Sequence, residues 1–439
     1  MRELRVTILA MSLLLASLTA VRAETSTAAD VDAASQAILA DPKVRKALDD
    51  IKADDAAAFA EQKRITEIAS PPFKESVRAN YVLQRFRELG FKDAAIDGEG
   101  NVIGLRKGSG AGRPKLVISA HLDTVFPEGT DVTVKEKDGM ALAPGIGDDS
   151  RGLAALLSLL KSMNANDVKT VGDVMFVATV GEEELGNLRG VKALFRDHAD
   201  IDGFISIDGM EISRVVNRGA GSHRYEMIFT GPGGHSFQEF GLPSAIHAMG
   251  RAIAKISDLQ TPSEPKTTFT VGTVRGGTSV NAIAAEARMT VDMRSNSMEE
   301  LLRLEARLLD AVKQAVAEEN ARWKTDKLTV EIKLIGDRPA GLTAEDSPLP
   351  QAMQRAATAL KPDAPVTFAG ASTDSNQPMS LGIPAITVGG GGQGGNWHSR
   401  SEWYRPVEAW LGPQSALLTV LTLAGLEGTS KPTLVSRQK

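Results

Sequence analysis

Apolar residues along the chain follow two spacings, one typical of buried strands and one typical of amphipathic helices. Short apolar runs predict strands at residues 115–120 (KLVISA), 173–180 (DVMFVATV) and 203–207 (GFISI). Apolar residues recur at helical intervals over residues 75–89 and 151–163. Because strands and helices alternate, we expect an α/β fold built on a mixed, mostly parallel sheet.

The pattern of polarity changes near residue 220. Residues 223–230 (HRYEMIFT) alternate between polar and apolar, as a half-buried antiparallel strand does. A helix, two strands, a long amphipathic helix over residues 297–323 and a strand at 327–335 follow. This β-α-β-β-α-β order predicts a small ferredoxin-like α+β domain.

The α/β pattern resumes after the small domain, which is therefore predicted to be an insertion. We expect a large domain in two parts, residues 24–219 and 336–439, with the inserted domain at residues 220–335. Residues 1–23 precede both domains and have a different sequence pattern.

These first 23 residues have the pattern of a signal peptide. Arg2 and Arg5 precede a mostly apolar run, and Ala23 is a small residue typical of a cleavage site. The run is short for a membrane span, and polar sequence follows it. An apolar helix that stays on the protein is the alternative. We expect export to a bacterial periplasm, with no membrane attachment after cleavage.

Composition and charge narrow the classes of protein further. Of the 439 residues, 42% are hydrophobic and 24% are charged, as in ordinary globular proteins. The formal net charge of −5 gives no basic excess for a nucleic-acid partner. The sequence contains no cysteine, which excludes disulfides and thiolate metal sites. Any metal site must therefore use His, Asp and Glu.

Acidic residues and histidines follow several predicted strands or lie in loops beside them. They occur in the motifs HLD after residues 115–120, GEEE after 173–180, SIDG after 203–207, GDDS before a helix, and NWHS after a glycine-rich stretch. The candidate residues in these motifs are His121, Asp123, Asp148, Glu182, Glu183, Asp208 and His398.

Each motif alone has a simpler explanation. The histidine can be an ordinary loop residue, the paired acids at 148–149 a helix cap, the acidic run a solvated turn, and the glycines at 389–395 a flexible linker. Together the motifs favour one site, because ligands bind at the carboxyl edge of strands in open α/β sheets. His and carboxylate ligands suit zinc or another borderline-to-hard divalent cation. Two such ions can share a carboxylate.

This set of motifs resembles the di-zinc metallopeptidase family that contains aminoacylases, glutamate carboxypeptidases, dipeptidases and peptidase T. The resemblance covers essentially the whole chain after residue 23, including the inserted domain. It implies two Zn²⁺ per chain, hydrolysis of amide bonds, and a homodimer formed through the inserted domain, which serves as a lid.

The resemblance also implies a role for each candidate of the large domain, the catalytic domain. Glu182 is the expected general base, and Asp123 the acid that supports a ligand. A third acid, Glu184, leaves the register open by one residue, but the preceding Thr-Val-Gly favours Glu182. A cis Asp148–Asp149 bond is also implied. The expected metal ligands are His121 and Asp208 for one zinc, Glu183 and His398 for the other, and Asp148 between the two.

Motifs of the inserted domain match the family as well. His235 (GPGGHS), Asn281 (GGTSVNAI) and Arg294 (VDMRS) occupy positions that face the substrate in relatives, where the histidine reaches the partner's active site. His235 can instead be a turn residue, and Arg294 a strand-end ion pair. Arg294 and Arg338 can each hold a substrate carboxylate, but spacing alone does not place them in one pocket.

The resemblance predicts a metallo-exopeptidase that acts on short peptides, and residues 1–23 add the expectation that it is exported. The stretches GASTDSNQP and GDRPAG are closer to the peptidase T and carboxypeptidase branches. An N-acyl-amino-acid amidohydrolase and a non-catalytic binding homologue are the alternatives. Amino- or carboxy-terminal specificity stays open.

Overall fold

The computed structural model describes residues 26–437, so the predicted signal peptide lies outside the described residues. The helices are α1 (Ala28–Ala40), α2 (Pro42–Ala53), α3 (Asp55–Thr66), α4 (Ser76–Glu88), α5 (Ser150–Ala165), α6 (Arg189–Asp197), α7 (Ala245–Ser257), α8 (Met298–Trp323), α9 (Pro348–Leu360), α10 (Asn376–Ser380) and α11 (Leu411–Ala424). Among residues 26–437, no helix is both long enough and apolar enough to cross a membrane.

The strands belong to two main sheets and two small ones. They are β1 (Ala95–Ile96), β2 (Val102–Arg106), β3 (Lys115–His121), β4 (Lys135–Lys137), β5 (Met140–Leu142), β6 (Asp173–Thr179), β7 (Gly203–Ile207), β8 (Arg214–Gly219), β9 (Gly221–Thr230), β10 (Gly234–His235), β11 (Thr267–Gly276), β12 (Ala282–Ile283), β13 (Glu286–Ser295), β14 (Thr329–Arg338), β15 (Gly341–Leu342), β16 (Thr367–Ala371), β17 (Ala385–Val388), β18 (Gln393–Gly395) and β19 (Trp403–Arg405).

The large sheet has the order β1-β2-β6-β3-β7-β17-β8-β15, with β16 beside β8. Its four central strands, β6, β3, β7 and β17, are parallel, whereas β1, β2 and β15 pair in the antiparallel sense. This mixed sheet with a parallel centre confirms the predicted α/β fold. The C-terminal ends of β3, β6 and β7 consequently meet at one edge of the sheet.

The core of the large domain is formed by helices packed on this sheet. Helix α5 is buried on almost every side, and Leu153, Leu156 and Leu160 are inaccessible to solvent. Helices α2 and α3 contact α5, while α1 lies against α9 and α11. A capping box between Thr27 and Asp30 begins α1. The N-terminal helices therefore belong to the large domain and are stabilised by packing rather than by propensity alone.

The inserted domain has its own sheet and its own core. Its strands have the order β11-β13-β9-β14, all antiparallel, and α7 and α8 pack on one face. Met227, Phe229, Leu304 and Val312 lie in this second core. Along the chain the order is β9-α7-β11-β13-α8-β14, the predicted ferredoxin-like order. We call this unit the lid.

The two connections between the lid and the large domain lie side by side. Only Ala220 separates β8 from β9, and Ser222 at the start of β9 pairs with Arg338 at the end of β14. The strands that leave and re-enter the large domain are thus hydrogen-bonded neighbours. We call this double connection the hinge.

Candidate active site

The candidate residues of the large domain converge at the C-terminal edge of the parallel strands. His121 is the last residue of β3, Asp208 directly follows β7, and Glu182 and Glu183 follow β6. Asp148 comes from the loop before α5, and His398 from the loop between β18 and β19. The glycine-rich stretch therefore delivers a site residue and is not a linker.

Asp148 lies between the two histidines of the site. Its Oδ1 is 2.9 Å from His121 Nε2, and its Oδ2 is 3.1 Å from His398 Nε2. His398 Nε2 is also 3.2 Å from Glu183 Oε1. One carboxylate thus faces a histidine on each side, a position from which it could serve two cation sites.

The donor atoms suit divalent cations. Ligand atoms of His121, Asp148 and Glu183 lie within 4.8 Å of one another, and so do those of His121, Asp149 and Asp208. Imidazole nitrogen and carboxylate oxygen without thiolate is a donor set that zinc accepts. These residues therefore fit the metal centre that the sequence predicts.

Several carboxylates of the site are buried close together, which opposes their ionisation. Burial, with the nearby charge of Asp148, raises the pKa of Glu183 to about 8 and that of Asp208 to about 7. Burial also opposes ionisation of Asp148, but hydrogen bonds with His121 and His398 outweigh it and lower its pKa. Divalent cations would offset this crowding of negative charge.

Asp123 connects two of the motifs. Its buried carboxylate accepts hydrogen bonds from the backbone N–H groups of Glu182, at 3.1 Å, and Glu183, at 2.8 Å. Its backbone oxygen is 3.1 Å from His121 Nδ1, and its Oδ1 is 3.6 Å from the same nitrogen. Asp123 therefore orients His121, with Nε2 toward Asp148, and fixes the start of the acidic loop.

The adjacent acid, Asp149, has a structural task. Its carboxylate accepts from the backbone N–H of His121, at 2.9 Å, and caps α5 by accepting from Gly152 N–H, at 3.0 Å. The Asp148–Asp149 peptide bond is cis, as the resemblance implies. Asp148 thus faces the two histidines, whereas its neighbour Asp149 caps the helix.

Glu182 is paired with an arginine from the hinge. Arg338 Nη1 is 3.3 Å from Glu182 Oε1 and 3.2 Å from Ser372 Oγ, and Nη2 donates to the Glu182 carbonyl oxygen. Both side chains are buried. Burial raises the pKa of Glu182, and the charge of Arg338 opposes this rise. Arg338, expected to hold a substrate carboxylate, therefore has protein partners, among them the predicted base.

A cleft of about 1120 Å³ lies between the large domain and the lid. Asp148, Glu183 and His398 line it on one side. Thr273, Thr290 and Arg294 line it from the lid. The half-exposed guanidinium of Arg294 is 2.8 Å from Asp292 Oδ2, so that it combines the ion pair of the alternative interpretation with a position in the cleft.

His235 and Asn281 lie together in the lid, and neither is among the residues that line the cleft. Strand β10, which contains His235, pairs with β12, which begins directly after Asn281. His235 is exposed, and its Nδ1 accepts from the backbone N–H of Phe237, at 3.2 Å, and of Gln238, at 3.3 Å. Within a single chain, these two residues are thus apart from the histidine–carboxylate cluster.

Several fully buried charged residues near the site were not found from the sequence, and two of them, Arg78 and Glu402, are described here. Arg78 donates to the carbonyl oxygens of Leu122, at 2.8 Å, and Ile68, at 2.7 Å. Burial lowers its pKa to about 10, against the opposing charges of Asp123 and Asp149. The second residue, Glu402, accepts three backbone hydrogen bonds from the loop before Asp148. Neither follows a strand or a glycine motif, so no local pattern identifies them.

The fold and the site together define a two-domain α/β protein with a candidate metal centre at a sheet edge. Residues 117–422 match the family model described as peptidase family M20/M25/M40. The match spans well over half of the chain, which therefore belongs to this family of amide-bond hydrolases. The resemblance inferred from the motifs is confirmed.

Two relatives illustrate the range of similarity. Acetylornithine deacetylase of Myxococcus xanthus is 25% identical over 371 residues, which are 80% of this chain and 90% of that protein. A protein of Pyrococcus abyssi named as a LysW-lysine/LysW-ornithine hydrolase is 34% identical over 132 residues. The chain spans only 34% of the length of that relative, and the matched part is 30% of the chain.

Solved structures share the fold. A tripeptidase from Staphylococcus aureus subsp. aureus Mu50 superposes with a TM-score of 0.70 at 23% identity, over 83% of this chain and 97% of that one. The YXEP protein of Bacillus subtilis, described as a dinuclear metal-binding peptidase, has a TM-score of 0.60 at 17% identity, over 85% and 99% of the two chains. At these identities the likeness concerns the fold.

Proposed function

We propose that this chain is a metallo-exopeptidase that uses two Zn²⁺ per chain to hydrolyse amide bonds in short peptides. The observation that carries the proposal is the position of Asp148, whose two oxygens face His121 and His398 beside the buried Glu182. A bridging carboxylate with a nearby base is what metal-assisted hydrolysis needs.

The residues divide into two ligand sets that share one member. When bound, two zinc ions lower the pKa of a water molecule and polarise the substrate carbonyl. His121 and Asp208 are proposed for one ion, Glu183 and His398 for the other, and Asp148 for both. Asp123 keeps His121 oriented, as its contacts with that residue suggest.

Glu182 is the proposed general base. It accepts a proton from the attacking water as the new C–O bond forms at the carbonyl carbon. It then returns this proton to the amine as the C–N bond breaks. The pairing with Arg338 holds the carboxylate in place and favours its ionised form.

The lid supplies the proposed substrate contacts. Arg294 lines the cleft and is suited to hold a substrate carboxylate. Closure of the lid excludes water and aligns the scissile bond. His235 is proposed to cross to the other subunit of a homodimer and to stabilise the oxyanion there. The outer edge of β11 in the lid sheet is unpaired within residues 26–437, which leaves it available for such a contact.

An N-acyl-amino-acid amidohydrolase is the second candidate. A specific observation favours it, because the relative that this chain covers to 90% is named acetylornithine deacetylase. Both reactions break an amide bond and use the same base and ligands. A non-catalytic role is disfavoured because Glu182 and every proposed ligand are present.

Substrate profiling of zinc-loaded protein tests the proposal. Di- and tripeptides with free or blocked termini are compared with N-acetyl amino acids, and kcat/KM is measured for each. The peptidase proposal predicts higher kcat/KM for the peptides, and the blocked termini show which end is recognised. Higher values for the N-acetyl amino acids would reject it in favour of the acylase. Glu182→Gln, measured in parallel, must lose whichever activity is found.

Export is proposed from residues 1–23 alone. Expression of the full chain in a Gram-negative host, followed by fractionation and N-terminal sequencing, tests it. Mature protein in the periplasm that begins near residue 24 is expected. An intact N-terminus in the cytosol or membrane fraction would reject the proposal.

A further inference from the structure

Glu402 holds the loop that delivers Asp148. Its carboxylate is fully buried and accepts three backbone hydrogen bonds from this one loop. Oε2 accepts from the N–H of Gly145, at 2.9 Å, while Oε1 accepts from Gly147, at 2.8 Å, and from Asp148, at 3.0 Å. Three N–H groups within four residues of chain thus converge on one carboxylate.

The loop depends on these bonds because it has no regular structure of its own. It lies between β5 and α5, and Gly145 has a φ of 75°, in the left-handed region. The Trp397 ring packs so closely on Gly147 that a Cβ there would lie 2.4 Å from it. Buried N–H groups that lose their acceptor are costly, so the loop cannot keep this path without Glu402.

Glu402 also belongs to the segment that carries His398. Its backbone N–H donates to Ser399 O, at 3.1 Å, and its carbonyl oxygen accepts from Ala143 N–H, at 3.2 Å. The residue therefore joins the turn around His398 to the loop before Asp148 at both its backbone and its side chain. Glu402 thus connects Asp148 with His398, and Asp148 Oδ2 lies 3.1 Å from His398 Nε2.

We propose that Glu402 is a positioning residue that sets the distance between Asp148 and His398 and thereby the affinity of the metal site that these residues share with Glu183. The proposal rests on the proposed dinuclear function. Glu402 is not among the residues that line the cleft, and it is proposed to act only through the backbone of Asp148 and the turn of His398. Of the opposite ligands, His121 ends β3 and Asp208 directly follows β7, so Glu402 can affect their site only through the shared Asp148.

Glutamine cannot replace Glu402 fully. A carboxylate has two acceptor oxygens, whereas the amide has one oxygen and an NH₂ group that only donates. If the amide oxygen serves Gly147 and Asp148, the NH₂ group faces the N–H of Gly145, and two donors oppose each other. Glu402→Gln therefore changes the loop at Gly145 while it leaves the volume of the side chain unchanged.

Asp202 provides a matched control at the opposite end of the sheet. It is also fully buried, and it accepts from the backbone N–H groups of Lys115 and Arg437, each at 2.8 Å. It precedes β7, whereas the candidate site lies beyond the C-terminal end of that strand. Asp202 also pairs with Arg113 Nη1, at 3.3 Å. Asp202→Asn therefore removes a buried carboxylate that accepts from backbone N–H groups, together with one ion pair, without touching the ligand loops.

The test is calorimetric titration of metal-free protein with Zn²⁺, together with thermal unfolding of each variant. Wild type is expected to bind two ions. Glu402→Gln should bind the ion assigned to Glu183 and His398 about 10–100-fold more weakly, the usual effect of an outer-shell partner, and the ion assigned to His121 and Asp208, which shares only Asp148 with that site, should lose less affinity. Asp202→Asn should lose thermal stability and keep both affinities. If the glutamine variant does not fold, Glu402→Asp, which keeps the charge but is shorter, takes its place in the same titration and is tested against the same outcomes.

The outcomes separate this inference from the proposed function. Unchanged affinity for both ions in Glu402→Gln, or an equal loss in Asp202→Asn, would overturn the role of Glu402 and leave the dinuclear proposal intact. Uptake of a single ion by wild type would overturn the dinuclear centre and, with it, the role assigned to Glu402.

Discussion

The guanidinium group of Arg338 binds the predicted general base, Glu182, through both its carboxylate and its backbone carbonyl. Arg338 is the last residue of β14, the strand that returns from the lid, whereas Glu182 follows β6 of the large domain. A second contact lies nearby, because Arg224 of β9 donates to Glu184 O, at 3.1 Å. Residues at or next to the hinge of the lid thus contact the loop that contains Glu182.

Removing the Arg338 guanidinium should impair turnover and move its pH dependence. Arg338→Met leaves Glu182 buried without its cation, so the pKa of Glu182 rises further. The base acts only when it is ionised, and activity is lost as the pH falls through its pKa. The acid limb of kcat/KM should therefore move to higher pH, and kcat should fall about 100-fold as the carboxylate loses its position.

Arg224→Met is the control for this experiment, because Arg224 contacts the same loop but not the Glu182 carboxylate. Its acid limb should match that of wild type. An unchanged pH profile in Arg338→Met, at normal metal content, would contradict the pairing as a catalytic feature. Arg338→Lys, which keeps a charge, should recover part of the shift.

Glu182→Gln should keep both metals and the fold yet lose turnover about 10²–10⁴-fold, because the amide cannot accept the proton of water. Glu183→Gln should instead lose metal, since its Oε1 lies 3.2 Å from His398 Nε2. Metal analysis and kcat of the two variants distinguish these roles. A near-normal Glu182→Gln beside an inactive Glu183→Gln would show that the register is shifted by one residue.

Metal-free protein should become less stable as the pH rises from about 5 to about 8. The pKa of Glu183 is raised from 4.5 to about 8 and that of Asp208 to about 7 by burial. A group whose pKa is higher in the folded state holds more protons there, so its stabilising effect is lost as the pH rises through that pKa. Mutual repulsion of the ionised carboxylates then destabilises the fold.

Thermal unfolding measured across this pH range checks the effect, with zinc-loaded protein as the control. The loaded protein should show a flatter profile, because bound cations favour the ionised carboxylates. A metal-free Tm that stays level or rises between pH 5 and 8 would contradict the raised pKa values.

His235→Ala should lower turnover about 10²–10³-fold, the usual loss for one oxyanion donor, and leave metal content intact. If His235 acts across a twofold dimer formed through residues 220–335, subunit mixing gives a clear signal. Homodimers of His235→Ala and of Glu182→Gln are both nearly inactive. A mixed dimer pairs an intact Glu182 site with His235 of the other subunit.

Up to about half of the wild-type activity should return in these mixed dimers. Differently tagged chains allow heterodimers to be isolated and counted before the assay. An active monomer, or isolated heterodimers without recovered activity, would reject a role in trans. The exposure of His235 and its absence from the cleft of its own chain are the reasons to run this test.

Local sequence patterns were sufficient to predict the features that depend on strand periodicity. His121 and Asp208 end or follow short apolar runs, and parallel pairing then brings them to one edge. The lid order also follows from periodicity, because each of its elements buries one face against a common core. His398 could be placed because its loop follows β17 and returns to the same edge.

Contacts between distant segments could not be predicted in this way. The partner of Arg338 is 156 residues away, and the loop held by Glu402 is about 255 residues away. Such pairs carry no periodic signal, since any charged residue in a polar stretch has the same local pattern. Arg338 is an example. From the sequence it suggested a substrate carboxylate, whereas its partner in the structure, Glu182, belongs to another motif.

The pairing of Ser222 with Arg338 has a consequence for the autonomy of the two domains. Antiparallel partners have Cα atoms about 5 Å apart, so the chain leaves the large domain and returns to it at nearly the same point. The two hydrophobic cores share no residue. Loop-closure entropy grows only with the logarithm of length, so a turn of a few residues can replace the lid at little cost to the large domain. We expect a chain in which a short turn replaces residues 223–337 to keep all the proposed ligands and Arg338 beside Glu182, and to lose contacts such as that of Arg224 with Glu184.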